Sequence, residues 1–289
     1  MNFQLHKAAS LPEALALSER LAPDVRYIAG GTDLIIQLRR GVKAYGNLID
    51  LSGLDGLRRI TETPGHYRIG ALCTHKDIDL HAALMQAYPA LGQAARVVGG
   101  HQVRNAGTIG GNIANASPAA DVAVALLALD ADILVQGKGG SRSIAIADFF
   151  TGPGQSLLQP GELIEAVLLP KPGVRETSCF LKAGRRKAME IAVVSVAVRL
   201  RLDADGAIAD IRIALGAVGP KPLRAPLAAK LLLGARPDAA LLAKAAAAAQ
   251  AECTPRSDVR ASAEYRRGLV GGMLQRALEQ CLHMEAPHA

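Results

Sequence analysis

Two glycine-rich turns constrain this chain more than any other feature: Ala29-Gly30-Gly31-Thr32-Asp33-Leu34, and Thr108-Ile109-Gly110-Gly111-Asn112 running on to Ser117 and Asp121. Paired glycines permit positive φ and remove the Cβ atoms that keep a ligand away from the backbone. Ahead of the first turn, Val25–Ile28 reads as a short buried strand. Behind it a helix is expected over Thr32–Arg40, stopped by Gly41. Unpaired N–H groups and the positive end of that helix would then face one point, which suits a phosphate, and Thr32 adds a hydroxyl. A strand–glycine–helix junction is also an ordinary tight turn, so this segment alone leaves ligand binding and a structural role both open.

The second turn repeats the device with more polar handles, since Thr108, Asn112, Asn115 and Ser117 all donate or accept hydrogen bonds. Ser117-Pro118 reads as the cap and first residue of a helix reaching Leu129 that is apolar on nearly every face and therefore buried. A capping box would place an acid at position 120, which is alanine. Asp121 falls one place later and is open to two roles: accepting from a ligand hydroxyl, or sitting in the first turn against the helix dipole. Two such cradles in one chain point to a dinucleotide held between two lobes. Neither has the G-x-x-x-x-G-K-S/T spacing of a triphosphate loop or the G-x-G-x-x-G fingerprint of a nicotinamide-binding domain.

The 289 residues accommodate two lobes and a further domain. Residues 1–57 make a small β/α lobe with a helix from Leu11 capped by Ser10 and strands at 25–28 and 48–51. Residues 58–174 follow, with strands at 66–70, 133–136, 143–146 and 163–169 and helices over 74–84 and 91–98. Lys171-Pro172-Gly173 reads as the linker to residues 175–289, where strands at 191–202 and 207–216 precede helices over 225–233, 238–252 and 259–283.

A net charge of +7 favours an anionic partner, but stacking aromatics and any nucleic-acid module are missing, so nucleic acid is not expected. Cys73, Cys179, Cys253 and Cys281 lie far apart with no C-x-x-C pair, which fits reduced thiols in a cytoplasmic protein and no metal site. No secretory signal is visible at the start of the sequence. The apolar run Val122–Leu129, flanked by Asp121 and Asp130, is too short to span a membrane. His75 and His101 lack a paired thiolate, a Glu-x-x-His or a serine nucleophile. They read as structural or surface residues, and no catalytic residue is assigned. Arg185-Arg186-Lys187 reads equally as a solvated turn or a partner-facing patch.

The two glycine motifs resemble those of the FAD-binding medium subunit of the molybdenum hydroxylases, the xanthine, carbon monoxide and aldehyde dehydrogenase group. The likeness continues through Ile69-Gly70-Ala71 with Thr74-His75, Phe150-Thr151-Gly152-Pro153, Glu162-Leu163-Ile164 and Arg185-Arg186 with Glu190-Ile191-Ala192. It closes with Ser257–Ser262 and Tyr265-Arg266-Arg267 and so spans essentially the whole chain. The resemblance implies an α+β fold: a two-lobed FAD-binding domain of the vanillyl-alcohol-oxidase (PCMH) type, then a C-terminal α+β domain with an antiparallel sheet and helices. It implies that Ala29, Gly30, Gly31, Thr32, Asp33 and Leu34 wrap one side of the FAD diphosphate. Thr108, Gly110, Gly111, Asn112, Asn115 and Ser117 would hold the other side, and Asp121 a cofactor hydroxyl. Ile164 would line the flavin or adenine pocket, and Lys182 would stand near the isoalloxazine, where a cation stabilises reduced flavin. The FAD would be non-covalent. The molybdenum cofactor would lie on a large molybdopterin-binding subunit and the 2Fe–2S clusters on a small subunit. Electrons would pass from those clusters through FAD to NAD⁺, oxygen, a quinone or another acceptor. Two alternatives stay open: a self-sufficient FAD-dependent oxidase or reductase on the same fold, and a non-catalytic scaffold subunit.

Overall fold

The computed structural model describes residues 2–186 and 189–285. The first lobe contains β1 (Gln4–Lys7), α1 (Leu11–Leu21), β2 (Val25–Ile28), α2 (Leu34–Arg39) and β3 (Asn47–Asp50), its strands forming a parallel sheet in the order β1–β3–β2. Parallel neighbours need crossovers, and α1 and α2 supply them. Ser10 caps α1 as expected, its hydroxyl accepting from Glu13 N at 3.3 Å.

The middle of the chain runs β4 (Ile60–Glu62), β5 (His66–Gly70), α3 (His75–Leu80), α4 (Ala82–Ala87), α5 (Pro89–Arg96), α6 (His101–Ala106), α7 (Ile109–Ala114) and α8 (Asp121–Ala128). It continues with β6 (Asp132–Gly137), β7 (Gly140–Ala145), α9 (Ile146–Phe149), β8 (Phe150–Gly152), β9 (Gln155–Ser156) and β10 (Leu163–Pro170). Strands β4–β5–β10–β6–β7 form an antiparallel sheet. Beyond it come β11 (Glu176–Ala183), β12 (Val194–Leu202), β13 (Ile208–Gly216), β14 (Leu223–Arg224), α10 (Pro226–Leu232), α11 (Ala239–Ala251) and α12 (Ala263–Glu285), the four strands pairing antiparallel in chain order.

This last sheet is covered on both faces. Strand side chains alternate, so Val196, Val198 and Leu200 pack with α10–α12, while Phe180, Ala197 and Ala214 join the core of the middle segment. The row facing α8 is small. A Cβ on Gly216 would meet Val124 Cγ2 at 2.5 Å, so glycine there lets α8 lie close to the sheet. Every residue of α8 is buried, as its all-round apolar sequence requires.

Several boundaries differ from the sequence expectations. Helix α2 starts at Leu34, not Thr32, because Gly31 sits at φ +68 and breaks the path. The buried helix starts at Asp121, with Ala120 as cap. Ser117-Pro118 instead forms a turn in which the Ser117 hydroxyl accepts from Ala119 N at 3.3 Å. The expected 74–84 helix is two helices hinged at His81, whose Nδ1 accepts from Leu84 N at 3.2 Å. Gly110 and Gly111 belong to a helix, α7, capped by Thr108.

Just after α8, Asp130 adopts φ 53 and accepts from three arginines of the C-terminal sheet: Arg199 and Arg212, each at 3.1 Å, and Arg224. Asp210 completes the cluster at 2.5 Å from Arg199 and 2.6 Å from Arg212. Asp130→Asn keeps a residue that tolerates this backbone but strips the central charge. Equilibrium denaturation should show a loss of about 2–3 kcal/mol, between the values for exposed and fully buried pairs.

Candidate functional site

A cleft of about 1190 Å³ opens between the first lobe and the middle segment, large enough for a dinucleotide. One wall is the Ala29–Leu34 turn with Tyr27, Gln37 and Tyr45. The opposite wall is formed by Ala71, Leu72, His75 and the stretch from Gly107 to Pro118. The β6–β7 turn and residues 158–164 close its far end. Thirteen of the fifteen sequence-assigned cofactor residues line it: Ala29, Gly30, Gly31, Thr32, Asp33 and Leu34; Thr108, Gly110, Gly111, Asn112, Asn115 and Ser117; and Ile164.

The two glycine turns turn out to be different devices. In the first, the amides of Gly30, Gly31, Thr32 and Asp33 have no hydrogen-bond partner among the described residues. These donors belong to the turn itself, since α2 is short and Asp33 makes no side-chain cap bond. Gly31 needs its glycine for the positive φ. Gly30 needs it for space: a Cβ there would lie 1.7 Å from the Ala106 carbonyl oxygen. The first lobe therefore rests directly on the end of α6.

In the second turn the amides are already used. Ile109 N donates to Cys73 O and Gly110 N to Ala71 O, both at 2.9 Å; Gly111 N donates to Thr108 Oγ1 at 3.1 Å and Asn112 N to Thr108 O at 2.9 Å. The expectation of bare amides here is thus corrected, because α7 and the bridge between Thr74 and Thr108 consume them. Gly110 gives room to Ala71, whose Cβ would be 2.7 Å from an added one. Side chains remain as the polar groups of this wall. The Asn112 Oδ1 is buried without a partner. Asn115 Oδ1 accepts from Gln37 Nε2 of the first lobe at 3.0 Å, which leaves its own N–H₂ free to donate. The Asp33 carboxyl, at the rim, has its pKa raised by desolvation.

Asp121 and Lys182 are brought together, but behind the wall. Lys182 Nζ lies 2.6 Å from Asp121 Oδ2 and 3.1 Å from the Val97 carbonyl. Burial outweighs the attraction of Lys182 and pushes the Asp121 carboxyl up to about 6, and its Oδ1 is buried without a partner. Lys182 lines a second cavity of about 620 Å³ together with Val97, Arg185, Arg186 and Arg276. Val97 faces that cavity and Val98 the cleft, so these residues and the ion pair form a partition. Arg185 and Arg186 sit in a turn in which Arg186 N donates to Glu190 Oε2 at 2.6 Å; Lys187 lies outside the described residues.

His75, read from the sequence as a structural or surface residue, faces the cleft. Its ring is part of the cleft wall, 2% exposed, with Nδ1 buried and unpaired, and burial reinforced by Arg104 pulls its pKa down to about 4. The Thr74–Asp77 capping box was the available signal, since it places His75 at the first position of α3. His101 stays on the surface, its Nδ1 3.4 Å from Arg104 Nη2. The 257–267 motif has a structural use: buried Arg266 donates to Val193 O at 2.8 Å, Ala217 O at 3.0 Å and Asp258 Oδ1 at 2.7 Å.

An amide-lined turn, an unpartnered Asn112 oxygen and a wall kept free of Cβ atoms at Gly30 and Gly31 fit a diphosphate-bridged dinucleotide. Comparison with known proteins agrees. Residues 1–172 match the family described as "FAD binding domain in molybdopterin dehydrogenase", and residues 179–281 match the "CO dehydrogenase flavoprotein C-terminal domain". The chain is 34% identical to the glyceraldehyde dehydrogenase medium chain of Sulfolobus acidocaldarius, over 96% of this chain and 98% of that one. It is 33% identical to the xanthine dehydrogenase FAD-binding subunit of Escherichia coli O157:H7, over 96% and 95%. Among solved structures, carbon monoxide dehydrogenase from Hydrogenophaga pseudoflava superimposes with a TM-score of 0.94 at 32% identity, covering 99% of this chain and 98% of that chain.

Two outcomes follow from the site's geometry. Gly30→Ala should lower the thermal midpoint and part the two walls, because its Cβ has no place beside Ala106; crystallography or thermal melts would show it. For Asp121 the folded pKa of about 6 lies above an unfolded value of about 3.9. The folded state therefore holds the proton more tightly, so this group's contribution is greatest below the unfolded value and declines as pH rises through the folded one. Urea titrations across that window should show the decline in the wild type and its loss in Asp121→Asn. An infrared difference spectrum should find the protonated carboxyl.

Proposed function

We propose an electron-relaying role, through FAD held in the cleft, for this chain, which belongs to the FAD-binding medium subunits of the xanthine and carbon monoxide dehydrogenase type of molybdenum hydroxylase. It is thus the flavoprotein part of an oxidoreductase. The observation that carries the reading is the row of amide donors at Gly30–Asp33, without partners among the described residues and facing a cleft of dinucleotide size. In this reading the turn amides and the Thr32 hydroxyl hold one side of the diphosphate, while Asn112, Asn115 and Ser117 bind from the other wall. Ile164 packs against a ring system. Asp121 is assigned to a cofactor hydroxyl and its ion-pair partner Lys182, which lines the adjoining cavity, to the neighbourhood of the isoalloxazine.

Bound flavin supplies the ability to take electrons singly and give them up in pairs. The chain's own residues fix the cofactor, exclude water from it and keep the partition rigid. Residues 1–57 and 58–174 act as the two lobes of the clamp, and 175–289 as the unit buttressing the second. The electrons come from 2Fe–2S clusters on a small subunit, after a large molybdopterin-binding subunit has oxidised the substrate, and they leave to an acceptor such as NAD⁺, oxygen or a quinone. The four cysteines are buried and none is in a disulfide among the described residues, which supports a reducing, cytoplasmic setting.

The purified full-length chain should carry one FAD, and acid precipitation should release all of it; flavin retained on the pellet would rule out non-covalent binding. Without partners it should not oxidise purines, aldehydes or carbon monoxide, yet its flavin should accept electrons from dithionite and pass them to an acceptor. Turnover of such a substrate by the chain alone would favour a self-sufficient flavoenzyme, and a colourless chain that cannot be loaded would favour a scaffold.

A further inference from the structure

Gly107 brings two side chains to the foot of the amide-lined turn. A Cβ built on it would lie 3.3 Å from His75 Cδ2 and 3.4 Å from Thr32 Oγ1, so the imidazole and the hydroxyl flank one glycine. His75 is almost wholly buried in the cleft wall, and neither ring nitrogen has a hydrogen-bond partner among the described residues. A neutral imidazole carries one N–H donor and one acceptor, and leaving the buried Nδ1 idle is costly unless a bound group supplies the partner. The backbone beneath is fixed: His75 N donates to Gly107 O at 3.1 Å, and the Thr74–Asp77 capping box holds the start of α3. Asp77 is committed to Thr74 N at 2.8 Å. Arg104 adds positive potential from α6. What this corner lacks is an anionic acceptor.

We propose that His75 is a diphosphate-binding residue of the cofactor site, donating an imidazole N–H to a phosphate oxygen held by the Gly30–Asp33 amides. The inference rests on the FAD reading of the cleft. It assigns a binding role to a group that otherwise has no polar contact, and it explains why histidine rather than an apolar residue fills that position.

The test uses the full-length chain stripped of flavin and reloaded with FAD, comparing His75→Gln, which keeps a side-chain N–H, with His75→Met, of similar shape and without one. His75→Met should weaken FAD binding about tenfold, the equivalent of one lost hydrogen bond to a charged acceptor. His75→Gln should retain most of the affinity, and the thermal midpoint of the flavin-free Met variant should match or exceed the wild type. The phosphorus resonances of bound FAD should shift in His75→Met. Equal affinity in the Met variant and the wild type, or unchanged phosphorus resonances, would overturn the proposal, as would equal losses in both variants with lowered midpoints. A wild-type chain that binds no FAD would fail the cleft reading itself, and this inference with it.

Discussion

Residue 30 meets the Ala106 carbonyl with no room for a side chain between them, and the rest of the site depends on that contact. Because the first lobe touches the middle segment backbone to backbone, the amides of Gly30–Asp33 are held opposite the Asn112–Ser117 wall. The Gln37–Asn115 hydrogen bond ties the two walls a little further along. The approach is so close that the glycine serves both the packing of the lobes and the cradle. Donors held in place before a ligand arrives need little reorganisation on binding, which makes backbone amides effective even when each bond is modest.

The second wall is rigid for a different reason. Helix α8 is pinned to the C-terminal sheet by carboxylates at both ends: Asp121 to Lys182 of β11, and Asp130 to arginines on β12, β13 and β14. Between them its side chains interlock with the small-residue row of that sheet. The C-terminal segment is therefore no appendage. It covers one side of the helix that follows the Asn112–Ser117 wall.

Much of this was legible in the residues. Strands 25–28 and 163–170 and the helices after Ser10 and Asp238 follow from apolar spacing and capping chemistry, which are local. That the two glycine motifs face one cleft followed from the motifs themselves. The state of the amides did not, because whether Gly110 N is free depends on Ala71, and nothing near Gly110 in sequence announces that partner. The burial of His75 and the pairing of Asp121 with Lys182 were invisible for the same reason, since Gly107, Thr32 and Lys182 meet them only in the fold. Strand β1 was missed because its residues are mostly exposed and carry no apolar run.

The all-round burial of α8 has a consequence for how the chain is made. Translation delivers Asp121–Ala128 well before Val194–Leu202 and Ile208–Gly216, the strands that cover one side of it. During that interval the nascent lobes present a greasy helix with one side uncovered, the kind of surface that holdase chaperones recognise. Maturation thus has a natural order, in which the dinucleotide clamp reaches its final shape after the last sheet has closed over α8.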